Sequence, residues 1–257
     1  MDAISSHNCA TTVLEHNQLS IFVLTIDPEG GKRRRSATRE LERLGFQGSF
    51  VKGFKKTDPA ILENYDARRN LLASKRSLTH GEIAVYCGHR AIWREFLKTE
   101  SECALVLEDD FQIVDVDAFS NALNDCLAHR AEWGMIKFFD FRPKRVKRRK
   151  KLGRTEIVKY KYAASGAVAY LINRETANRL LARRKFFRAV DEDFSWEWEF
   201  DLNIWSVNPN IVSDGGDILG GSLLENDRIG RKRHRNVFRS LWGNVIQGYK
   251  LCRSLRV

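Results

Sequence analysis

Short apolar runs recur along the chain at intervals that predict the strands of an α/β fold. Residues Ile21–Ile26 (IFVLTI) and Ala104–Leu107 (ALVL) are apolar throughout, which is typical of strands buried on both faces of a sheet. Further strands are predicted at Met135–Phe139, Glu156–Tyr162 and Ala167–Ile172. We expect the first two runs to be neighbouring central strands.

Helical patterns separate these apolar runs. A basic helix is predicted at Arg33–Leu44, and another at Asp117–Arg130. Thr79 and Glu82 have the spacing of a capping box, in which each side chain binds the other's backbone N–H group, and they mark the start of a third helix. Asn173 is positioned to cap a fourth. Strands that alternate with helices indicate a mostly parallel sheet covered on both faces.

Composition is typical of a globular protein that does not span a membrane. Hydrophobic residues make up 43% of the 257 residues, and no uncharged apolar run reaches the roughly 18 residues that a bilayer-spanning helix needs. The five cysteines include no CxxC pair, and the first twenty residues show no apolar core of a signal peptide. We therefore expect a cytoplasmic protein with an N-terminal extension (1–20), a main α/β domain (21–220) and a basic C-terminal segment (221–257).

The formal net charge of +11 indicates a phosphate-rich partner: nucleic acid, an anionic membrane surface or a phosphorylated substrate. Nine of the thirteen residues in Arg142–Arg154 are Lys or Arg, which predicts a mobile loop, because such a run repels itself. Such a loop either has no specific role or attracts a phosphorylated substrate or an anionic membrane surface. Arg228–Arg235 is a second basic run. Five apolar residues near the end share one helical face, which is typical of a helix in a membrane interface: Phe238, Leu241, Trp242, Val245 and Ile246.

Three consecutive carboxylates, Glu108, Asp109 and Asp110, directly follow the second apolar run. They repel one another, so we expect a compensating cation at this strand end, where open α/β sheets bind their ligands. Oxygen ligands suit Mg²⁺ or Mn²⁺, and in an extended segment Glu108 and Asp110 would point to the same side. A solvated acidic turn is the alternative, and the preceding buried strand favours the metal site.

A second acidic cluster lies at Asp191–Asp193 and is followed by several tryptophans. Its carboxylates offer a general base, whereas a solvated acidic loop is the simpler interpretation. Trp196 and Trp198 would share one side of a strand and, with Trp205, could stack on sugar rings. Core packing is the expected role of at least one of them.

Several of these segments together resemble glycosyltransferase family 25. Leu78–His89 (LTHGEIAVYCGH), with Trp93 after it, is similar to the family segment LTxGEIGCxxSHxxxW, and here too it lies about twenty residues before an apolar strand that ends in EDD. Three further segments match in the expected order over roughly residues 21 to 212: Thr25-Ile26-Asp27 with Arg33-Arg34, Ala167–Ile172 with Leu180-Leu181, and Ala189-Val190-Asp191.

The chain departs from the family pattern at several places. Val85 and Gly88 stand where the family has Cys and Ser, and Ala189 stands where it has Pro. One extra residue separates Asp27 from the two arginines that follow it. Gly88 therefore lacks the hydroxyl that the family serine would supply, and the basic segment Arg142–Arg154 is also atypical.

The resemblance implies a GT-A-like fold and an inverting transfer of a hexose, galactose from UDP-galactose, to a lipopolysaccharide or lipooligosaccharide acceptor. It implies Mn²⁺ or Mg²⁺ as cofactor, and an enzyme of the cytoplasm or of the inner-membrane surface with no nucleic-acid partner. Glu108 and Asp110 would bind the metal. Asp191 would be either the catalytic base or a contact of the donor sugar, and Asp193 is the second candidate. Donor-binding residues would be the following: Thr25, Asp27, Arg33, Arg34, Glu82, His89, Glu108 and Asp109.

Several of these candidates also have a purely structural explanation. His89 shares a helical face with Trp93, so it is either a substrate contact or a buried histidine bound to a backbone carbonyl. Helix capping accounts for Glu82 without any contact to substrate. Arg33 and Arg34 are either ligands of a diphosphate or exposed helix arginines.

Two other functions fit part of the sequence. A metal-dependent nuclease or phosphotransferase would use the carboxylates and the basic surface, but the chain has neither a P-loop motif nor a second carboxylate set around a nucleophile. A nucleic-acid-binding module would explain the charge and leave the EDD cluster without a purpose. Titration with UDP-sugars and Mn²⁺, beside an oligonucleotide, separates the three functions.

Overall fold

The computed structural model describes residues 18–216, 219 and 237–254, and ten strands form in this part of the chain. The basic run Arg228–Arg235 and residues 1–17 of the predicted extension lie outside it. The strands are β1 Leu19–Thr25, β2 Ser49–Lys52, β3 Cys103–Glu108, β4 Phe111–Ile113, β5 Met135–Lys137, β6 Val146–Leu152, β7 Thr155–Tyr160, β8 Ala169–Asn173, β9 Ile204–Val207 and β10 Val212–Asp214.

Helices connect most of these strands. They are α1 Lys32–Arg43, α2 Ala67–Ala73, α3 His80–Lys98, α4 Val116–Ala128, α5 Arg174–Ala182, α6 Val190–Phe194 and α7 Val237–Ser254. Short 3₁₀ turns lie at Pro59–Asn64, Arg130–Glu132 and Glu197–Glu199. No helix in the described ranges is long and apolar enough to cross a bilayer.

The central sheet has the strand order β2-β1-β3-β8-β5-β9-β7-β6, and β4 and β10 form a separate ribbon. β1 pairs in parallel with both β2 and β3, and β5 pairs in parallel with β9. β8 and β7 run opposite to their neighbours. The predicted architecture, a mostly parallel sheet flanked by helices, is therefore confirmed, and the first two apolar runs are neighbouring strands as predicted.

Side chains of β3 alternate between two hydrophobic cores, one on each face of the sheet. Ala104 and Val106 pack in the core that α3 covers, whereas Leu105 and Leu107 pack in the core that α1 and α4 cover. All four side chains are fully buried. Burying a valine or leucine stabilises a fold by about 1.5–3 kcal/mol, so both faces of this strand favour apolar residues and the run is uninterrupted.

The helix starts agree with the capping signals in the sequence. Thr79 Oγ1 accepts the N–H of Glu82 at 3.1 Å, and Glu82 Oε2 accepts the N–H of Thr79 at 2.9 Å, which confirms the capping box of α3. Asn173 caps α5 by accepting the N–H of Thr176 at 2.9 Å. Each such cap satisfies a backbone group that the helix itself leaves unpaired, and typically contributes about 1 kcal/mol.

The basic segment Arg142–Arg154 is not the mobile loop that its charge predicts. Residues Val146–Leu152 form β6, one of the two edge strands of the sheet, in an antiparallel hairpin with β7. Leu152 is buried at one end of this strand, and Asp125 accepts the N–H of Thr155 at 3.0 Å beyond the turn. The prediction is wrong because basic side chains at a sheet edge are screened by solvent, and they also keep further strands from pairing there.

The tryptophans do not lie on one strand as predicted. The chain is helical in this region, in α6 and in the 3₁₀ turn Glu197–Glu199 that follows it. Trp196 is buried with the guanidinium of Arg188 lying 3.8 Å from its ring centroid, and Trp205 is buried in β9. Core packing is thus confirmed for these two residues, and strand alternation does not apply here.

The last helix, α7, packs on the body of the protein. Its inner side carries Arg239, which donates to Asn70 Oδ1 at 2.7 Å, and Lys250, which donates to Ser195 Oγ. Burial lowers the pKa of Lys250 to about 8. The predicted basic C-terminal segment therefore includes a helix that joins α2 to the end of α6.

Burial produces a pH dependence of stability at Glu197. It raises the pKa of Glu197 to about 7, although Lys159 lies 3.6 Å away. The folded protein therefore favours the protonated Glu197 side chain. Its contribution to the free energy of unfolding is complete below the unfolded pKa of about 4.5 and is lost as the pH rises through about 7. Glutamine has no charge to lose, so the difference in unfolding free energy between Glu197→Gln and the wild type should shift in favour of the variant by about 3 kcal/mol from acidic to alkaline pH. Urea unfolding at both pH values, with exposed Glu175→Gln as the control, tests this; an unchanged difference would contradict it.

Candidate active site

The carboxyl ends of β1 and β3 meet at one edge of the sheet and bring predicted site residues together. Leu24 pairs with Glu108 in the register of these parallel strands, so Thr25 and Asp109 follow side by side. Thr25 Oγ1 donates to Asp109 Oδ2 at 2.6 Å, and both side chains are buried. This bond ties the turn after β3 to the end of β1.

Asp27 fixes the start of helix α1 beside this turn. Its Oδ2 atom accepts the backbone N–H of Arg33 at 2.9 Å, one of the N–H groups that a helix start leaves unpaired. A Cβ atom at Gly31 would lie 2.5 Å from the same oxygen, so glycine is required for this close approach. The N-terminus of α1, whose first turn carries no acidic residue, is thereby held next to the carboxylates.

Arg33 is a cation that compensates the carboxylates after β3. Its Nη1 atom lies 2.9 Å from Asp109 Oδ1 and 2.9 Å from Asp110 Oδ2. The side chain is buried, so Arg33 is not the exposed helix arginine of the alternative interpretation. Residues 109–110 form a turn rather than an extended segment, so the alternation predicted for Glu108 and Asp110 does not apply.

Asp110 is only partly satisfied by these contacts. Its Oδ1 atom is buried and has no hydrogen-bond partner among the described residues. Burial, with the charges of Glu108 and Asp214, raises the pKa of Asp110 to about 7. Asp214 ends β10, and Gly215 donates its N–H to the carbonyl oxygen of Asp110 at 2.7 Å. Asp214 could not be singled out from the sequence, because a three-residue strand so far along the chain carries no local signal.

His89 joins helix α3 to Glu108 through a buried hydrogen-bond chain. Trp93 Nε1 donates to Tyr170 Oη at 3.0 Å, and Tyr170 Oη lies 2.9 Å from His89 Nδ1. His89 Nε2 lies 3.1 Å from Glu108 Oε1. Because Tyr170 accepts from Trp93, we assign its own proton to the bond with Nδ1, and the imidazole then donates from Nε2 to the carboxylate. His89 is thus buried and bound to two side chains rather than to a backbone carbonyl.

Arg34 and Glu82, two further donor-site candidates, bind other partners. The guanidinium of Arg34 lies 4.5 Å from the ring centroid of Phe50. Glu82 Oε2 accepts from Arg76 Nη1 at 2.6 Å in addition to its capping bond. The pKa of Arg76 is raised by this hydrogen bond to Glu82 and further by acidic side chains of α6. The start of α3 is therefore close to the second acidic cluster.

Helix α6 turns the two candidate bases in opposite directions. Asp193 is completely buried and is bound by Tyr86 Oη at 2.8 Å and by Arg183 Nη1 at 2.8 Å. Burial raises the pKa of Asp193, and these contacts give it a structural role. Asp191 is half-buried, and its Oδ2 atom accepts the N–H of Gly166 at 3.2 Å. The cluster is thus helical and partly buried, not the solvated acidic loop of the simpler interpretation.

A short segment before β8 connects Asp191 to the carboxylate turn. The carbonyl oxygen of Val168 accepts the N–H of Glu108 at 2.8 Å. Gly166, two residues earlier, donates to Asp191. This one segment therefore holds the half-buried Asp191 near the edge of the sheet that carries Asp110.

Among known protein families, one matches most of this chain. The model of "Glycosyltransferase family 25 (LPS biosynthesis protein)" matches residues 19–196, which is well over half of the chain. The chain belongs to glycosyltransferase family 25. Membership implies a nucleotide-sugar donor and an acceptor for the sugar. No curated protein sequence matches the chain.

Several solved structures are partly similar to this family 25 member. A197 from STIV aligns at 12% identity over 74% of this chain and 81% of its own, with a TM-score of 0.43. A glycosyltransferase involved in the glycosylation of the major capsid of PBCV-1 aligns at 10% identity over 82% and 98%, with a TM-score of 0.42. The 4-diphosphocytidyl-2C-methyl-D-erythritol synthase of Anaerococcus prevotii aligns at 14% identity over 83% and 99%, with a TM-score of 0.37. Membership in family 25 rests on the family match, not on these structures.

At one position where the chain departs from the family 25 pattern, the structure leaves little space for a side chain. Gly88 stands where the family has Ser, and a Cβ atom there would lie 2.6 Å from Leu24 Cδ1 and 2.8 Å from Leu24 Cδ2. Both residues are buried. Helix α3 thus packs directly on the side chain of β1, and a serine would require Leu24 to move.

The carboxylates of this family 25 enzyme leave one buried oxygen open to a divalent cation. Asp110 Oδ1 is a buried acceptor without a partner in the described structure, and Glu108 and Asp214 add negative charge around it. The described residues contain no group of three or more His, Cys, Asp or Glu side chains that could hold a metal ion. Mg²⁺ is commonly bound by one or two carboxylates together with substrate phosphates. The residues therefore fit a cation shared with a nucleotide, and not one bound by protein side chains alone.

Proposed function

We propose that this family 25 enzyme transfers a hexose, galactose from UDP-galactose, to a lipopolysaccharide or lipooligosaccharide acceptor with inversion, in the cytoplasm at the inner-membrane surface. The observation that carries the proposal is the connection of two carboxylate sites through the segment before β8. Asp110, with its unpartnered oxygen, lies at one site, and half-buried Asp191 lies at the other. An inverting transfer needs one group at the departing diphosphate and one at the attacking hydroxyl. The choice of galactose comes from the resemblance to the family.

The donor diphosphate would bind at the start of α1. The unpaired N–H groups and the dipole of a helix N-terminus attract phosphate, and the Arg33 guanidinium lies in the same place. Asp110, with Glu108 beside it, would hold Mn²⁺ or Mg²⁺, whose charge stabilises the departing nucleoside diphosphate. Thr25 and Asp27 would support this donor site by fixing Asp109 and the first turn of α1.

Asp191 would act as the base on the acceptor side. Its carboxylate takes the proton of the acceptor hydroxyl while that oxygen bonds to the anomeric carbon and the bond from this carbon to the diphosphate oxygen breaks. The N–H of Gly166 binds one carboxylate oxygen and orients the group. Asp193 is enclosed by Tyr86 and Arg183, so we assign the base to Asp191 alone.

His89 would position Glu108 rather than touch the donor. The chain from Tyr170 through His89 fixes the carboxylate orientation of Glu108 beside the proposed cation. Glu82 would support the start of α3, and Arg34 would contact the donor only after leaving Phe50.

Transfer assays with a panel of nucleotide sugars test this function. We expect turnover with UDP-galactose that depends on Mn²⁺ or Mg²⁺ and is lost in EDTA. An oligonucleotide under the same conditions should be neither cleaved nor bound tightly. Turnover with a different nucleotide sugar would change the donor and keep the reaction type, whereas cleavage of the oligonucleotide would support the nuclease alternative.

A further inference from the structure

Two helices carry most of the exposed apolar side chains of the described chain. Eleven large apolar side chains are exposed there, and seven of them lie on α2 and α7. On α7, Leu241, Val245 and Tyr249 follow at intervals of four residues and form one stripe, each side chain more than half exposed. On α2, Leu71 and Leu72 are exposed at 57% and 68%. We name these five residues the α2–α7 face, and such a concentration marks an interaction surface.

Direct contacts make this face continuous. Trp242 Nε1 donates to the carbonyl oxygen of Leu72 at 2.6 Å. Lys75, two residues beyond α2, donates to Asn244 Oδ1 at 2.8 Å. Arg239 and Lys250 on the inner side of α7 contact the body, so the stripe lies on the solvent-exposed side of this helix, with the ring of Tyr249 also close to Trp196.

The charge around the α2–α7 face is positive. Neither α2 nor α7 contains Asp or Glu, while Arg68, Arg69 and Arg253 lie exposed on the two helices. Apolar side chains flanked by Lys and Arg, without acidic residues, are typical of helices that lie in an anionic membrane interface.

We infer that the α2–α7 face docks this protein on an anionic lipid surface, with α7 lying along the membrane plane. The apolar stripe enters the interface, and the basic side chains contact headgroup phosphates. This face would be the surface that holds the enzyme at the membrane. For the nature of the acceptor, the inference rests on the proposed function. A second copy of the chain is a less favourable occupant, because a twofold contact would bring two basic faces without acidic residues together.

Docking through α7 would also set the candidate base near the lipid. Lys250 donates to Ser195 Oγ, directly after the end of α6, and its ammonium lies 4.6 Å from the ring centroid of Tyr162. Tyr249, next to it and on the apolar stripe, lies 6.3 Å from Trp196 between ring centroids. Since α6 carries Asp191, a membrane-embedded acceptor would reach the base close to the interface.

Vesicle co-sedimentation without donor or acceptor tests this inference, so that it can fail independently of the proposed function. The full chain should bind vesicles that contain phosphatidylglycerol and not vesicles of phosphatidylcholine alone, and added salt should weaken the binding. The Leu241→Ser/Val245→Ser variant should bind the anionic vesicles at least about tenfold more weakly, because both side chains lose their burial in the interface. UDP binding by the two proteins should be equal.

Two matched variants separate the α2–α7 face from other surfaces. Val114→Ser/Phe141→Ser removes two similarly exposed apolar side chains elsewhere and should bind vesicles as the wild type does. Lys147→Gln/Lys151→Gln lowers the charge of β6 and should keep most of the binding. Circular dichroism and thermal melts of each variant should match the wild type, since all of these side chains are exposed.

Three results would overturn the inference. The first is unchanged vesicle binding by the Leu241→Ser/Val245→Ser variant. The second is binding that depends on Lys147 and Lys151 alone, which would make the edge strand β6 the attachment surface. The third is a wild-type dimer, measured by light scattering, that becomes a monomer in the Leu241→Ser/Val245→Ser variant, because the face would then bind a second copy.

Discussion

Replacing Asp110 by asparagine should abolish sugar transfer and leave the protein folded. Asparagine keeps the size of the side chain and an acceptor for Arg33, but removes the charge at the buried oxygen. Turnover should fall by at least about 10³-fold, since a metal-held charge contributes several kcal/mol to catalysis. The melting temperature should not fall, because burial already raises the pKa of Asp110 to about 7 and so disfavours its ionised form. Initial rates with UDP-galactose and thermal melts measure both effects.

Exposed Asp117 provides the control for this variant. Asp117→Asn removes one carboxylate from the first turn of α4 and should leave the rate of transfer unchanged. EDTA should inhibit the wild type as strongly as Asp110→Asn does, and added Mn²⁺ should restore only the wild type. Full turnover by Asp110→Asn, or by the wild type in EDTA, would contradict the proposed metal role without affecting membership in the family.

The features that the sequence predicted correctly have signals confined to a few neighbouring residues. The apolar run of β3 predicts burial on both faces of a sheet, and in the structure Leu105 and Val106 pack in the two different cores. Thr79 and Glu82 form their capping box within a single turn. The position of Asp109 at the carboxyl end of a buried strand likewise follows from local order, because parallel strands end at one edge.

The partners of the site residues could not be predicted, because they come from distant parts of the chain. His89 binds Tyr170, which lies 81 residues away, and Glu108. Tyr170 is a hydroxyl-bearing residue in a mostly apolar strand, which is a weak signal for a buried hydrogen-bond partner. Asp214 affects the pKa of Asp110 from a short strand that has no distinct pattern of its own.

The local predictions that failed did so where tertiary contacts override a local pattern. The charges of Arg142–Arg154 predicted a loop, yet pairing with β7 makes most of this segment an edge strand. Alternation predicted that Glu108 and Asp110 share a side, yet a turn directs Asp110 to Arg33. In both cases the decisive partner, a strand or a guanidinium, lies outside the segment whose pattern was considered.

The Asp191→Asn variant should lose at least about 10²-fold in turnover, the lower end of what a positioned base contributes. Asparagine keeps the size of the side chain and still accepts the N–H of Gly166, so the geometry of α6 is retained and only the basicity is removed. Donor affinity should change little, because the proposed donor contacts lie at Arg33 and Asp110. Steady-state kinetics and calorimetric titration with UDP-galactose measure the two quantities.

Asp193→Asn, two residues further along, should show the opposite pattern. Asp193 lies 2.8 Å from Arg183 and 3.4 Å from Arg188 inside the protein. Removing one partner of a buried ion pair costs about 3–5 kcal/mol. We expect about the lower of these values, because Glu199 still binds both arginines. The variant should therefore melt at a lower temperature while its folded fraction keeps most of the turnover.

The two measurements on Asp191→Asn distinguish three roles for this residue. A catalytic base loses turnover at constant affinity, whereas a ligand of the donor sugar loses affinity for UDP-galactose and not for UDP. A residue without a part in transfer changes neither, and unchanged turnover would exclude Asp191 as the base. We expect the first result, because Asp191 is anchored by a backbone N–H and is not paired with a cation in the described part of the chain. Its carboxylate is therefore oriented without a direct ion pair, which leaves it able to accept a proton from the acceptor.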